Sequence, residues 1–426
     1  MLSLAFAQSR TDAAFQKFWA AKTPAEAEQQ VSAIVKTGIS FDEALQRVRQ
    51  GRVYPAQKPG VIKLSNKTKD GVEHWFAVTV PESYDPSKRY QVRFQLHGGV
   101  GGRLTNEPRG TGEIGSLAGA EQFYVLPYAW ADEPWWSNDQ VMNLEAIVDS
   151  LKRAYNIDEN RVVVSGVSDG GTGAYYVAMR STTQFASFLP LNGFIMVLAN
   201  EDIDDGQIFP GNLVNKPLFA VNGGKDPLYP TRNVEPFLFH LGSKGVSIDY
   251  HPQPEAAHNT QWWPDVKGIY EEFVAAHPRD PQPGKLTWET ADMARNRAHW
   301  LVIDQFGAQP TDSDLPDVNI MSTTDEFSIL KGTAIALFFR NKPTGRVDLA
   351  RTGNTVDAKT QGVAAFTLLL SPDKFDFSQP IKVVANGKEV FNAKVQKSVE
   401  TLMKWAARDN DRTMVYAAEI KIKLGR

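Results

Sequence analysis

The segment Gly166-Val167-Ser168-Asp169-Gly170 sets a serine between glycines, after the apolar run Val162-Val163-Val164 and before the helix-like stretch Gly173–Arg180. A serine hydroxyl is a weak nucleophile unless a tight turn exposes it and a base lies beside it. Where a strand turns directly into a helix, the positions flanking the turn have no room for side chains. Glycines at 166 and 170 meet that need, and the chemistry expected of Ser168 is nucleophilic attack with a covalent intermediate. Such chemistry needs oxyanion donors, a base and an acid. The backbone N–H of Asp169 is the first candidate donor. The loop Leu96-His97-Gly98-Gly99 offers Gly98 and Gly99 as the source of a second.

Histidines 240, 251, 258, 277 and 299 all follow Ser168. In a serine, acid, histidine order the base belongs in a loop after the last strand of the catalytic sheet. His258, in Ala256-Ala257-His258-Asn259, has that place. His251 sits within a strand pattern, and His277 and His299 fall in or beyond a linker. His97 precedes the serine and reads as a residue that orders its loop. For the acid, Asp226 follows a strand and a glycine turn in Val221-Asn222-Gly223-Gly224-Lys225-Asp226. Asp202, Asp204 and Asp205 compete from the preceding loop, and Asp226 is preferred because a charge run is usually solvated. Asp169 puts a carboxylate beside a developing oxyanion. It is expected either to pair with a cation, Arg103 being the candidate, or to accept hydrogen bonds from amides of the Gly98 loop. Trp135 and Trp136, with Trp130, lie in the loop after the fourth strand and could offer aromatic faces to a substrate or pack as a lid. Trp262 and Trp263 read as packing residues.

The elements that must hold these groups follow from the patterning. Strand-like stretches at residues 74–84, 90–99, 122–130, 161–167, 185–194, 216–224 and 246–252 are mostly separated by helical segments such as the amphipathic Val141–Asn156. That alternation means an α/β fold with a mostly parallel sheet covered on both faces. The expected organisation is a possible signal remnant over 1–10, a helical segment over 11–55 and a catalytic domain over 56–278. The Pro-rich stretch 277–285 then leads to a β-rich, sandwich-like domain over 286–426. Within that last part, 333–341 is a strand candidate, and Asn386-Gly387 marks a hairpin turn.

The 426 residues carry a net charge of −3 and no cysteine. Disulfides, thiolate nucleophiles and thiolate metal sites are thereby excluded. The charge balance gives no pull toward nucleic acid. Leu2–Ala7 with the pattern Ala5-Phe6-Ala7 reads as the end of a signal segment, which implies a secreted or periplasmic protein. No run elsewhere is long enough for membrane insertion. No dinucleotide fingerprint, P-loop lysine, H-E-x-x-H motif or calcium-loop spacing is present, so no cofactor and no metal are expected. The oligomeric state is left open.

The stretches LHGGVGG, YNIDENRVVVSGVSDGG, VNGGKDPLYP and AAHN, in that order, resemble α/β-hydrolase esterases related to polyhydroxybutyrate depolymerases and to feruloyl and acetylxylan esterases. The resemblance covers about residues 60–275. It implies a Ser168–Asp226–His258 triad and an acyl-enzyme mechanism on a small-molecule or polysaccharide-linked ester, usually in an exported enzyme. Asp169 departs from it, since an uncharged residue is common there, and the simplest members lack the β-rich tail. Two other readings share the fold: a serine peptidase of the prolyl-oligopeptidase type, and a non-catalytic binding protein on a hydrolase scaffold. The first needs a large gating domain, for which the N-terminal 55 residues are too few.

Overall fold

A computed structural model describes residues 2–68, 71–104, 112–200, 202–309, 338 and 342–424, with backbone alone for 2–9. Three helices come first: α1 (Leu2–Ala20), α2 (Pro24–Val35) and α3 (Phe41–Gln50). The side chains of Thr23 and Ser40 accept the N–H groups of Glu26 and Glu43 and so cap α2 and α3.

An eight-stranded sheet follows. Its strands are β1 (Gly60–Lys67), β2 (Glu73–Val80), β3 (Tyr90–Leu96), β4 (Phe123–Pro127), β5 (Ile157–Val167), β6 (Ser187–Leu191), β7 (Leu218–Ala220) and β8 (Ile248–Tyr250). Helices α4 (Asn138–Ala154), α5 (Asp169–Arg180), α6 (Thr231–Ser243) and α7 (Trp263–Ala276) alternate with its later strands. The spatial order is β1-β2-β4-β3-β5-β6-β7-β8. From β4 to β8 the strands run parallel, and β1 and β2 are antiparallel. The core strands are apolar without alternation because both faces are covered: Val162, Val163 and Val164 of β5 are all fully buried.

The C-terminal part contains β9 (Lys285–Thr290), β10 (Arg297–Ala298), β11 (Leu301–Phe306), β12 (Gly345–Thr352), β13 (Thr355–Gln361), β14 (Val363–Leu370), β15 (Ile381–Ala385), β16 (Lys388–Ala393), helix α8 (Val399–Asp409) and β17 (Ala418–Lys423). They form a four-stranded sheet, β10-β11-β14-β17, and a five-stranded one, β16-β15-β13-β12-β9. Both sheets contribute to one apolar cluster that includes Trp288, Trp300, Phe366 and Ile381. Asn386 and Gly387, both at positive φ, turn β15 into β16. The strand expected at 333–341 lies outside the described residues except for Phe338.

Several contacts join the C-terminal part to the rest, among them hydrogen bonds from Asn212 and Asn215 to β9, and two of them bear on the site. Leu402, Met403 and Ala406 of α8 complete the cluster built by Phe15, Phe18, Ile34 and Val48 of the first three helices. Next to it, residues 409–412 meet the elements that lead to the serine. Arg412 donates from Nη2 and Nε to the Glu159 carboxylate of β5, at 3.0 and 2.5 Å. Asp411, wholly buried, lies 2.7 Å from Arg279 and 3.5 Å from Lys152 of α4. Burial opposes the charge of Asp411, but Arg279 and Lys152 outweigh it and hold the carboxyl well below the usual carboxylate range.

Replacing Asp411 with Ala leaves two buried cations facing each other. The loss is expected to be about 3–5 kcal/mol, read as a lower urea midpoint at pH 7. The contribution of Asp411 is complete above its unfolded pKa, near 4, and is lost as pH falls below it, because its folded pKa is depressed. A variant with an unchanged midpoint would remove this carboxylate from the account of the junction.

Candidate active site

Ser168 stands between the last residue of β5 and the first of α5 at φ 58°, ψ −118°, a conformation L-residues rarely adopt. The turn is as tight as its glycines suggest. A Cβ on Gly166 would lie 2.0 Å from the Gly170 carbonyl oxygen, and one on Gly170 would lie 2.2 Å from that of Leu96. The strain is held by two hydrogen bonds: Ser168 N–H donates to Leu191 O of β6 at 2.9 Å, and Thr172 N–H donates to Ser168 O at 2.9 Å.

His258 and Asp226 come to the same place from the loops after β8 and β7. Gly224 N–H donates to Gln253 O at 2.8 Å and Lys225 N–H to Ala256 O at 3.0 Å, so these two loops run side by side. His258 Nε2 is 2.8 Å from Ser168 Oγ, and His258 Nδ1 is 2.6 Å from Asp226 Oδ2. Asp226 is 2% exposed. Its other oxygen, Oδ1, accepts the N–H groups of Leu228 at 2.8 Å and Tyr229 at 3.0 Å. The chain Asp–His–Ser is thus continuous, with the carboxylate fixed at both oxygens and the imidazole 21% exposed in its side chain. Every one of these residues follows a parallel strand at its carboxyl end, the edge where open α/β sheets bind ligands.

The competitors lie elsewhere. Asp204 Oδ1 accepts Gly206 N–H within its own loop, and Asp205 lies 3.9 Å from Arg180. His251 is next to Asp249 at 2.9 Å and stacks on Phe219.

The loop after β3 faces the serine from the other side. A Cβ on Gly98 would sit 2.9 Å from Ser168 Cβ, so only glycine fits there. His97 Nε2 accepts Ala129 N–H at 3.1 Å, which places the proton on Nδ1, and Nδ1–H donates to Gly98 O at 3.0 Å. Burial, helped by the charge of Arg103, pushes the His97 pKa down to about 4, so the ring stays neutral as this pattern requires. His97 therefore orders the loop.

Asp169 Oδ2 accepts Val100 N–H at 2.8 Å, the second of the two arrangements expected for it. The proposed partner Arg103 is a correction. Its guanidinium donates to Gly98 O, at 3.3 and 3.4 Å, and lies over the Tyr128 ring. The loop is short enough that Asp169 meets an amide before any side-chain cation. Asp169→Ala frees a part-buried N–H, a cost of about 1–3 kcal/mol. It is expected to lower turnover roughly tenfold, and Asp169→Asn less, because an amide oxygen can still accept. Equal turnover of both variants with wild type would disconnect this carboxylate from the loop.

Trp135 also needs correcting as a substrate face. It is fully buried, its Nε1–H donates to His97 O at 2.8 Å, and its Cβ packs against Gly173. It braces the loop. Trp136 is half-buried beside it. Trp262 and Trp263 are buried.

Two residues near the site escaped the sequence reading. Tyr229 lies edge-on to the His258 ring, centroids 5.6 Å apart, and its phenol is pushed up by burial, then by Asp169 and Asp226. Asn192, at φ 47° after β6, donates from Nδ2 to Asn259 O and so holds the loop of His258. The Asn-Gly pair at 192–193 was the available signal for a left-handed turn.

Sheet order, elbow serine and the Ser, Asp, His sequence together define an α/β-hydrolase fold. No protein-family model matches the chain. Among curated proteins, it is similar to the bifunctional acetylxylan esterase/xylanase XynS20E of Neocallimastix patriciarum, 29% identical over 182 residues, which are 39% of this chain and 25% of that protein. It is 24% identical over 156 residues to the probable feruloyl esterase C of Aspergillus terreus, covering 35% of this chain and 57% of that one. It is 23% identical over 184 residues to feruloyl esterase C of Emericella nidulans, covering 40% and 67%. The chain thus spans a quarter of the first relative and little over half of the second. Among solved structures, esterase 2 of Thermogutta terrifontis matches at 16% identity and a TM-score of 0.42, over 52% of this chain and 97% of that one.

Proposed function

We propose that the protein hydrolyses carboxylic esters through an acyl-enzyme on Ser168. The observation that carries this reading is the unbroken hydrogen-bonded chain from Asp226 Oδ2 through His258 to Ser168 Oγ on a strained strand–helix turn. Ser168 Oγ attacks the ester carbonyl carbon while His258 Nε2 takes its proton. The oxyanion that forms is held by the N–H of Asp169 and by an amide of Gly98 or Gly99. Collapse breaks the C–O bond to the alcohol, which leaves with the proton from His258. Water, deprotonated by the same nitrogen, then releases the acid and restores Ser168. Asp226 holds the imidazole with Nδ1–H toward itself and stabilises the imidazolium.

For substrate, the reading favours an ester joined to a carbohydrate or an aromatic acid. The names of the three curated relatives support it, and Trp136, which is not fully buried, remains the tryptophan candidate for such a group. An exported location belongs to the same proposal. No helix among the described residues is long and apolar enough to cross a membrane.

The test is the purified chain against p-nitrophenyl acetate, methyl ferulate, acetylated xylan and a peptide p-nitroanilide. Turnover of the esters with none of the anilide is expected. Turnover of the anilide alone would replace the esterase reading with a peptidase, and inertness toward all four would leave a binding protein.

A further inference from the structure

His74 of β2 is fully buried, and neither of its ring nitrogens makes a hydrogen bond, although the Gln140 side chain lies beside it. Its ring packs on Trp130, centroids 5.3 Å apart. One ligand atom each from His74, Glu133 and Asp139 lie within 4.8 Å of one another. We propose that these three side chains bind a divalent first-row metal cation, best matched by Zn²⁺, and that the ion ties the loop 128–137 to β2 and to the start of α4.

Three observations point to a cation. Burying an imidazole with both nitrogens unpaired is costly, and metal ligation satisfies one of them. The other needs an acceptor, and one is at hand. Gln140 is buried, its Nε2 donates to Tyr128 O and Glu133 O, and its Oε1 has no partner. A ligating histidine characteristically donates its second ring N–H to such an oxygen. Lastly, Glu133 and Asp139 bring two carboxyl groups to the same spot, and among the described residues neither has an ion-pair partner. Glu133 is held in place by Ser137 Oγ, which donates to its Oε2 at 2.9 Å.

The donor set selects the ion. Calcium takes six to eight oxygens, whereas an imidazole with two carboxylates and water suits zinc and its neighbours. The ligand atoms, within 4.8 Å of one another, lie near the roughly 3.5 Å between neighbours around a zinc ion, and Glu133 and Asp139 are only half-buried.

The ion has a structural task. The loop it fastens supplies Ala129 N–H and Trp135 Nε1–H, the two donors that hold His97 and, through it, Gly98. His74, Glu133 and Asp139 are positioning residues. The binding site itself does not depend on the proposed reaction.

The experiment is calorimetric titration of the EDTA-treated, dialysed full chain with Zn²⁺ and separately with Ca²⁺, for wild type, Glu133→Gln and Asp139→Asn, alongside thermal melts with and without Zn²⁺. One Zn²⁺ per chain is expected, with a higher melting temperature. Each carboxamide variant should bind at least tenfold more weakly and lose the thermal shift, while its metal-free melt stays near that of metal-free wild type. The proposal is overturned if wild type shows no saturable Zn²⁺ binding, if both variants bind Zn²⁺ as wild type does, or if Ca²⁺ binds one-to-one and Zn²⁺ does not.

Discussion

Ser168→Ala is expected to lower ester turnover on the order of 10⁴-fold or more, because nucleophile, base and acid act as one unit. The residual rate would come from binding and from the amides of Asp169 and the Gly98 loop, which the substitution leaves in place. Alanine keeps the Cβ, so the strain at φ 58° and the bonds to Leu191 O and Thr172 N–H persist. The melting temperature should therefore stay within a few degrees of wild type, which separates loss of chemistry from loss of fold. A stable Ser168→Ala protein with near wild-type turnover would remove the nucleophile from the account.

Asp226→Asn should cost nearly as much, about 10⁴-fold at neutral pH, for a reason specific to this site. Oδ1 accepts two backbone N–H groups, from Leu228 and Tyr229. In the variant those amides retain the carboxamide oxygen, and the NH₂ group must face His258 Nδ1. That nitrogen then becomes an acceptor, the proton moves to Nε2, and the imidazole can no longer take the proton of Ser168. Asp204→Asn should leave turnover within about twofold, because this carboxylate accepts Gly206 N–H within the loop after β6, a bond the amide oxygen of asparagine can keep. The pair of rates, measured on p-nitrophenyl acetate, decides between the carboxylates. A larger loss at Asp204 would move the acid to the loop after β6.

Much of this was legible in sequence for local reasons. Val162-Val163-Val164 is buried on both faces, so its apolar run signals a parallel strand directly, and the glycine at 166 is forced by a backbone contact one turn away, whereas that at 170 is forced by the Leu96 carbonyl of β3. Ser137 caps α4, and the apolar stripe Leu144, Ile147, Val148, Leu151 follows at helical spacing. Other features were not legible. The edge strand β1 has no fully buried residue, and its apolar Val61, Ile62 and Leu64 fall on both faces, so no alternation betrays it. Trp135 looks the same in sequence whether its ring meets a ligand or His97 O. Arg103 and Val100 are both within reach of Asp169, and only the path of the loop chooses between them. The His74 cluster draws one residue from a strand, one from a loop and one from a helix, so no short motif could reveal it, and the expectation of no metal rested on motifs alone. The docking of α8 onto the N-terminal helices joins the two ends of the chain, a contact that patterning cannot register.

The central claim is that Ser168 Oγ is activated by His258. It is tested most directly by treating the protein with an alkyl fluorophosphonate, which phosphonylates an activated serine with loss of fluoride, and mapping the adduct by peptide mass spectrometry. One adduct per chain on Ser168 is expected, absent from Ser168→Ala and strongly slowed in His258→Ala. Wild-type protein with no adduct on Ser168, or labelled equally fast without His258, would contradict it.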